Sequence, residues 1–469
     1  MNSRKALLPA IIAGWCLSLF TLLAADGLPA SKQYEMGLRM FHDLGDEANL
    51  SVGQVFFSRA AAQGHTDALA AQGLSELLGL GTQFQPVEGL EKIRKAMEQG
   101  SAKATFNLAV LASDRIGVDL DQSSFEELLK SAAEKGLPQA QYFYGQYLAE
   151  RPSKPDPVSA ASWMRKASAG GDARATAYLG FLHLKGSGVK QDVQKGEELL
   201  RQAEASGGYH PWHLRGEAYL NGFGYRKDIS KALDALLKSV SLGCRRSEIL
   251  LQVLPGDKER VDQGRLLSAL QSKARSGDAI ANHFLGLGYS GTGKGKSRYE
   301  KAAEAFAKGV ESKYLPSYSA LADLYLIGMG VEQDASRAME LLVEAARSGD
   351  VEAEYKLGFL LHRDSGSPDN QRRAFESTRN AALKGHSQAQ RLLSLMLANG
   401  VGTVQRLSEA LAWANIALGG IPEELGKAHA VLKPAMTSEA IAKAEELEQA
   451  FRIRLRRNRE AGGQESLVW

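Results

Sequence analysis

The chain has 469 residues, 44% hydrophobic and 24% charged, with 48 glycines and 13 prolines. That balance excludes a disordered or collagen-like chain, and scarce proline beside frequent Ala and Leu favours helices. A formal charge of +3 excludes a global field that would draw nucleic acid.

Arg4 and Lys5 precede a run from Ala6 to Ala25 that carries no charge. Its apolar core and the small residues Ala24 and Ala25 are what a signal peptidase requires, so residues 1–25 read as an export signal. An uncleaved membrane anchor is the rival reading, since the run is just long enough to span a bilayer. Trp15 before Cys16 speaks against a lipoprotein anchor. The chain has 2 cysteines. Removal of the signal leaves Cys244 alone, so no internal disulfide is expected. Cys244 reads as a small buried residue at a helix end.

Glycines then close amphipathic stretches at Gly64, Gly100, Gly136, Gly171, Gly207, Gly243, Gly277, Gly349 and Gly385. Successive gaps are 36, 36, 35, 36, 36, 34, 72 and 36. The long gap is two periods, with Lys313 standing where a glycine belongs. This period fits a helix–turn–helix unit. Between the glycines a small residue is followed four positions later by a large and then a small one, as in Ala140–Tyr144–Gly145, Ala175–Leu179–Gly180 and Ala353–Leu357–Gly358. These positions share one helical face and let a second helix approach closely.

One stretch, Gly328 to Asp350, shows how a unit is built. Gly328 and Gly330 end a first helix and permit positive φ in a tight turn. Val331 plugs that turn, and Asp334 caps the second helix. Ala338, Leu341, Leu342, Ala345 and Ala346 form its buried face. The Gly-x-Gly turn recurs at Gly79, Gly186, Gly222 and Gly400.

The resulting pattern is Ala-x-x-x-Leu-Gly-x-x-Tyr-x-x-Gly-x-Gly-Val, then Asp, then Lys/Arg-Ala and Ala-Ala-x-x-Gly-Asp. It resembles the Sel1-like repeat, a relative of the tetratricopeptide repeat, in ten or eleven units over residues 31–420. The best copies are Ala175–Gly207 and Ser317–Gly349. The resemblance implies an all-α, right-handed superhelical solenoid of helix–turn–helix repeats. Arg215 departs from it by replacing an apolar residue. Residues 244–277 form the poorest unit, with Pro255-Gly256 interrupting the first helix. After Gly420 the phase is lost. Residues 421–460 read as a capping region with a long helix started by Thr437 or Ser438 and a basic end at Arg452, Arg454, Arg456 and Arg457, which reads as a solvated helix terminus, with contact to an anionic surface as the alternative. A repeat array needs such a cap. Residues 461–469 read as a flexible tail.

No chemistry emerges from the motifs. Gly288 to Lys294 follows a phosphate-binding loop, but Gly295 replaces the metal-binding hydroxyl and the stretch occupies an inter-helix turn. Ser187 and Lys190 have the spacing of penicillin-recognising enzymes, without the partner motifs. No Cys/His spacing suits zinc. The expectation is therefore no catalytic group, no metal and no cofactor.

One pattern points to binding. By resemblance to tetratricopeptide repeats, the position two after the ladder's first small residue faces the concave groove. That slot holds Phe106, Tyr142, Ala177, His213, His283, Ser319, Tyr355 and Arg391. Phe106, Tyr142, His213, His283, Tyr355 and Arg391 are the candidate contact residues, being types enriched where proteins bind. The competing reading is that they fill gaps between neighbouring first helices. The expectation is an exported non-catalytic scaffold, periplasmic or secreted from a bacterial envelope, with a protein or peptide partner. The alternative is a cell-wall or carbohydrate ligand binder that supports an envelope enzyme.

Overall fold

The structure, a computed structural model, describes residues 27–41, 47–117, 121–151, 154–257, 259–291, 295–364, 367–461 and 467–469. The export-signal reading of residues 1–25 lies outside them. Twenty-four α-helices occur among the described residues. They divide into two compact units, residues 27–141 with 449–469, and residues 142–448.

Unit 1 is built from helix pairs. They are α1 (Ala30–Met40) with α2 (Glu47–Ala62), α3 (Thr66–Leu78) with α4 (Pro86–Glu98), and α5 (Ala102–Ser113) with α6 (Gln122–Glu134). The division falls within α7 (Pro138–Glu150), which pairs with α8 (Pro157–Ala169). Unit 2 continues with α9 (Ala173–Lys185) and α10 (Val193–Glu204), α11 (His210–Asn221) and α12 (Ile229–Ser241), then α13 (Arg245–Val253) and α14 (Gln263–Arg275). There follow α15 (Ala279–Gly291) and α16 (Lys296–Glu311), α17 (Leu315–Ile327) and α18 (Ala335–Arg347), α19 (Val351–Arg363) and α20 (Pro368–Leu383), then α21 (Ser387–Asn399) and α22 (Leu407–Leu418). Helices α23 (Pro422–Leu432) and α24 (Ser438–Ala461) close the chain, and the second cut falls within α24. The protein is an all-α solenoid of paired helices with distinct closing helices.

The turn chemistry anticipated at Gly328 is present. Gly328 ends α17 at φ 67°. Gly330 has φ 75°, and a Cβ there would lie 2.1 Å from the Tyr299 carbonyl carbon. Asp334 accepts a 2.9 Å hydrogen bond from the Arg337 amide and starts α18. Val331 packs against the core formed by Ala338, Leu341, Leu342 and their neighbours. Equivalent Asp caps begin α9, α10, α12 and α14. Cys244 is buried and caps α13, its Sγ accepting from the Ser247 amide at 3.5 Å. Pro255 cuts α13 to nine residues and turns the chain through a 3-10 segment, Leu254–Gly256. Gln263 holds that segment by donating to the Leu254, Asp257 and Val261 carbonyls.

Two of the sequence readings change at the chain's end. Thr437 Oγ1 caps α24 by accepting from the Ala440 amide, as expected. The part of α24 in unit 2 packs Ala444 against Leu411, Ala414 and Leu432 and so covers the last repeat. In unit 1, however, the basic end is not a solvated terminus. Arg456 and Arg459 both reach Asp114 Oδ2 at 2.9 Å, and Arg457 reaches Glu47 at 2.8 Å. Nor are residues 467–469 a free tail, because Leu467 is buried in the unit 1 core and Trp469 packs against it.

Candidate functional site

The first helices of consecutive pairs touch directly in unit 2, α9 with α11 and α17 with α19. Side chains one repeat apart tie them together. His213 Nδ1 lies 2.8 Å from Ser247 Oγ, and His283 Nδ1 lies 3.3 Å from Ser317 Oγ. Lys356 Nζ donates to Asp323 at 2.7 Å, and His386 Nε2 lies 3.0 Å from Glu352. This crowded side is the first-helix face of the repeats.

The candidate slot residues do not share one environment. Phe106, Tyr142 and His283 are buried, which corrects their assignment to an open groove. Tyr142 and His283 lie between neighbouring helices of the repeats. Tyr142 packs with Ala161, Met164 and Ala175, and Arg174 lies over its ring at 4.8 Å. His283 sits among Phe284, Phe306 and Tyr314. Burial pushes the His283 pKa down to about 4, helped by Lys356, and pushes the Tyr142 hydroxyl up to about 12. His213, Tyr355 and Arg391 remain partly or largely accessible. Arg391 pairs with Glu424 at 2.8 Å.

Two depressions lie along this first-helix face. The first, about 290 Å³, is lined by Tyr178, Phe181, His213, Glu217, Arg246 and Ile249 among others. Burial lowers the His213 pKa to about 4, with Arg246 adding to the effect. Burial also raises the Glu217 carboxyl, against the opposing charges of Arg260 and Arg246. The second, about 650 Å³, is lined by Asp323, Ile327, Tyr355, Lys356, Phe359 and Arg363 among others. Tyr355 stacks on His386 with ring centroids 4.5 Å apart. Phe359 is 40% and Ile327 59% exposed, so the apolar surface here has no cover among the described residues.

Other side chains of the same first helices line these depressions. The accessible stripe continues from the slot to the positions one, four and eight residues later. Tyr178, Lys356, Phe359 and Ile327 occupy those places, whereas Phe181, four residues after Ala177, is buried. Stepping i, i+4, i+8 along the same face was the available signal. A larger depression of about 1160 Å³ lies off this stripe, beside Tyr225, Arg226, Lys227, Arg260 and Arg265. No group of three or more His, Cys, Asp or Glu side chains able to hold a metal occurs among the described residues.

Paired helices stacked by a fixed residue period define a helical-repeat protein. The Sel1 repeat family profile matches residues 33–65, 138–172, 173–208, 213–243, 316–350, 351–386 and 387–418. The chain belongs to the Sel1 repeat family. No match to a curated protein was found. Among solved structures, the chain is similar to c5321, a protective antigen of uropathogenic Escherichia coli with the same class of repeat. Identity is 24%, coverage 96% of each chain, and the TM-score 0.41. It is also similar to a Sel1 repeat protein from Oxalobacter formigenes, at 24% identity over 76% of this chain and 92% of that one, with a TM-score of 0.35.

Proposed function

We propose that the protein is an exported, non-catalytic adaptor that holds a protein or peptide partner along the first-helix stripe of unit 2. The single observation that carries this reading is the depression around Tyr355. Ile327, Tyr355 and Phe359 form an apolar floor, and Asp323, Lys356 and Arg363 form a charged rim. An aromatic anchor inside a polar rim is the anatomy of a protein-binding patch. Repeat solenoids of this class in general bind protein partners along such a face. Export is inferred from the sequence of residues 1–25 alone.

The test is capture from a cell envelope by the chain beginning at Asp26, followed by affinity measurement with the captured partner. Tyr355→Ala with Phe359→Ala is expected to weaken binding by about tenfold or more, as loss of interface anchors does. The same pair should change unfolding free energy by only about 1 kcal/mol, because both rings are partly exposed. Tyr142→Ala should behave oppositely, costing about 3–5 kcal/mol of stability as a buried aromatic does. Retention of glycan and no protein would move the assignment to a cell-wall ligand. Equal capture by the parent and the Tyr355/Phe359 variant would move the binding surface elsewhere.

A further inference from the structure

In unit 1 the same stripe is not empty. Asn107 stands one residue after the slot, the repeat position held by Tyr178 and Lys356 in unit 2. Its side-chain amide donates to the Val468 carbonyl at 2.7 Å and accepts from the Val468 amide at 2.8 Å. One residue's N–H and C=O point to the same edge only when its backbone is extended. Asn107 thus reads main chain, not a side chain. The next backbone oxygen, that of Trp469, accepts from Tyr34 Oη at 2.9 Å and from Lys103 Nζ at 2.6 Å. Leu467 and Trp469, two residues apart, both enter the same apolar cluster. Trp469 packs against Phe41 with ring centroids 4.7 Å apart.

A segment that merely filled a core would be held by apolar contact. Here four hydrogen bonds address the main chain, and alternate side chains take the specificity. That division of labour is how grooves recognise extended peptides. Buried Asn107 also argues for a ligand, since without a bound main chain its amide would lose two partners in a buried place.

We infer that this face of α5, with Tyr34 and Phe41 beside it, is a binding site for an extended peptide carrying a branched aliphatic residue and an aromatic two positions later. The chain's own Leu467-Val468-Trp469 occupies it as an internal ligand. A partner peptide of that chemistry enters by displacing this segment. The site lies wholly in unit 1 and stands apart from the Tyr355 depression, so either assignment can fail without the other.

The test uses the full chain and a fluorescein-labelled peptide, Glu-Ser-Leu-Val-Trp, followed by anisotropy. The parent should bind weakly. A Leu467→Ser/Trp469→Ala variant should bind saturably and about tenfold or more tighter, and adding Asn107→Ala should remove that gain. The proposal is overturned if the folded double variant fails to bind, or if all three chains bind alike. Should the double variant lose its helical signal, hydrogen exchange on the parent decides. Release of the Val468 amide much faster than the amides of α3 and α5 supports an exchangeable ligand. Protection equal to those helices makes the segment a permanent core element and sinks the proposal.

Discussion

At the scale of single residues, Lys313 shows what the repeat demands. The glycine ladder assigns that position to a left-handed turn, and Lys313 adopts φ 58° there. The equivalent Gly349 has φ 91° and Gly385 φ 92°. A side chain in that region costs about 1–2 kcal/mol relative to glycine. Lys313→Gly is therefore expected to raise stability by about 1 kcal/mol, read as a higher urea midpoint at unchanged slope. No change would mean that Lys313 makes a compensating contact. The phase of the ladder was legible because a positive φ restricts the residue type. The slot residues were less legible. Tyr142 and Tyr355 look alike in sequence, and only the packing of the adjoining repeat buries one and exposes the other.

At the scale of elements, the departures from the repeat pattern are compensated locally. Arg215 on α11 replaces an apolar residue, yet it is held by Glu197 and Glu204 of α10. Tyr225 also hydrogen-bonds Glu197. Burial works against the Arg215 charge, but the hydrogen bonds and charges of Glu204 and Glu197 together outweigh it. Restoring the family's apolar residue would remove the charged partner of both carboxylates. Arg215→Leu is expected to lower stability by about 1–2 kcal/mol, a figure reduced from that of a fully buried pair because the glutamates are partly solvated. A urea titration that shows Arg215→Leu to be stabilising would refute the compensation. The helix order, turns and caps could be read from period and glycine placement. The role of Arg215 could not, because its partners lie eleven and eighteen residues back and carry no motif.

At the scale of the whole molecule, acid should act chiefly on unit 2. His210, His213 and His283 are each held near pKa 4, with burial the main cause in every case. Their folded values lie below the ordinary 6.5, so the unfolded chain binds more protons over this interval. The stability they confer is complete above pH about 6.5 and is lost as pH falls toward 4. Each is worth on the order of 2–3 kcal/mol across that window. Thermal midpoints should fall steeply between these limits, and His283→Gln should flatten the fall. A flat profile in the parent would show that the rings are already solvated. The docking of Leu467–Trp469 was the least legible feature, because the preceding Gly-Gly-Gln-Glu-Ser carries no period and its hydrogen-bond partner, Asn107, lies 361 residues upstream. That separation has a temporal consequence. Ribosomes make α5 long before they make residues 449–469, so Asp114 must wait for Arg456 and Asn107 for Val468. Until residues 467–469 are made, the N-terminal repeats therefore exist as an unfinished receptor, with solvent standing in for that segment.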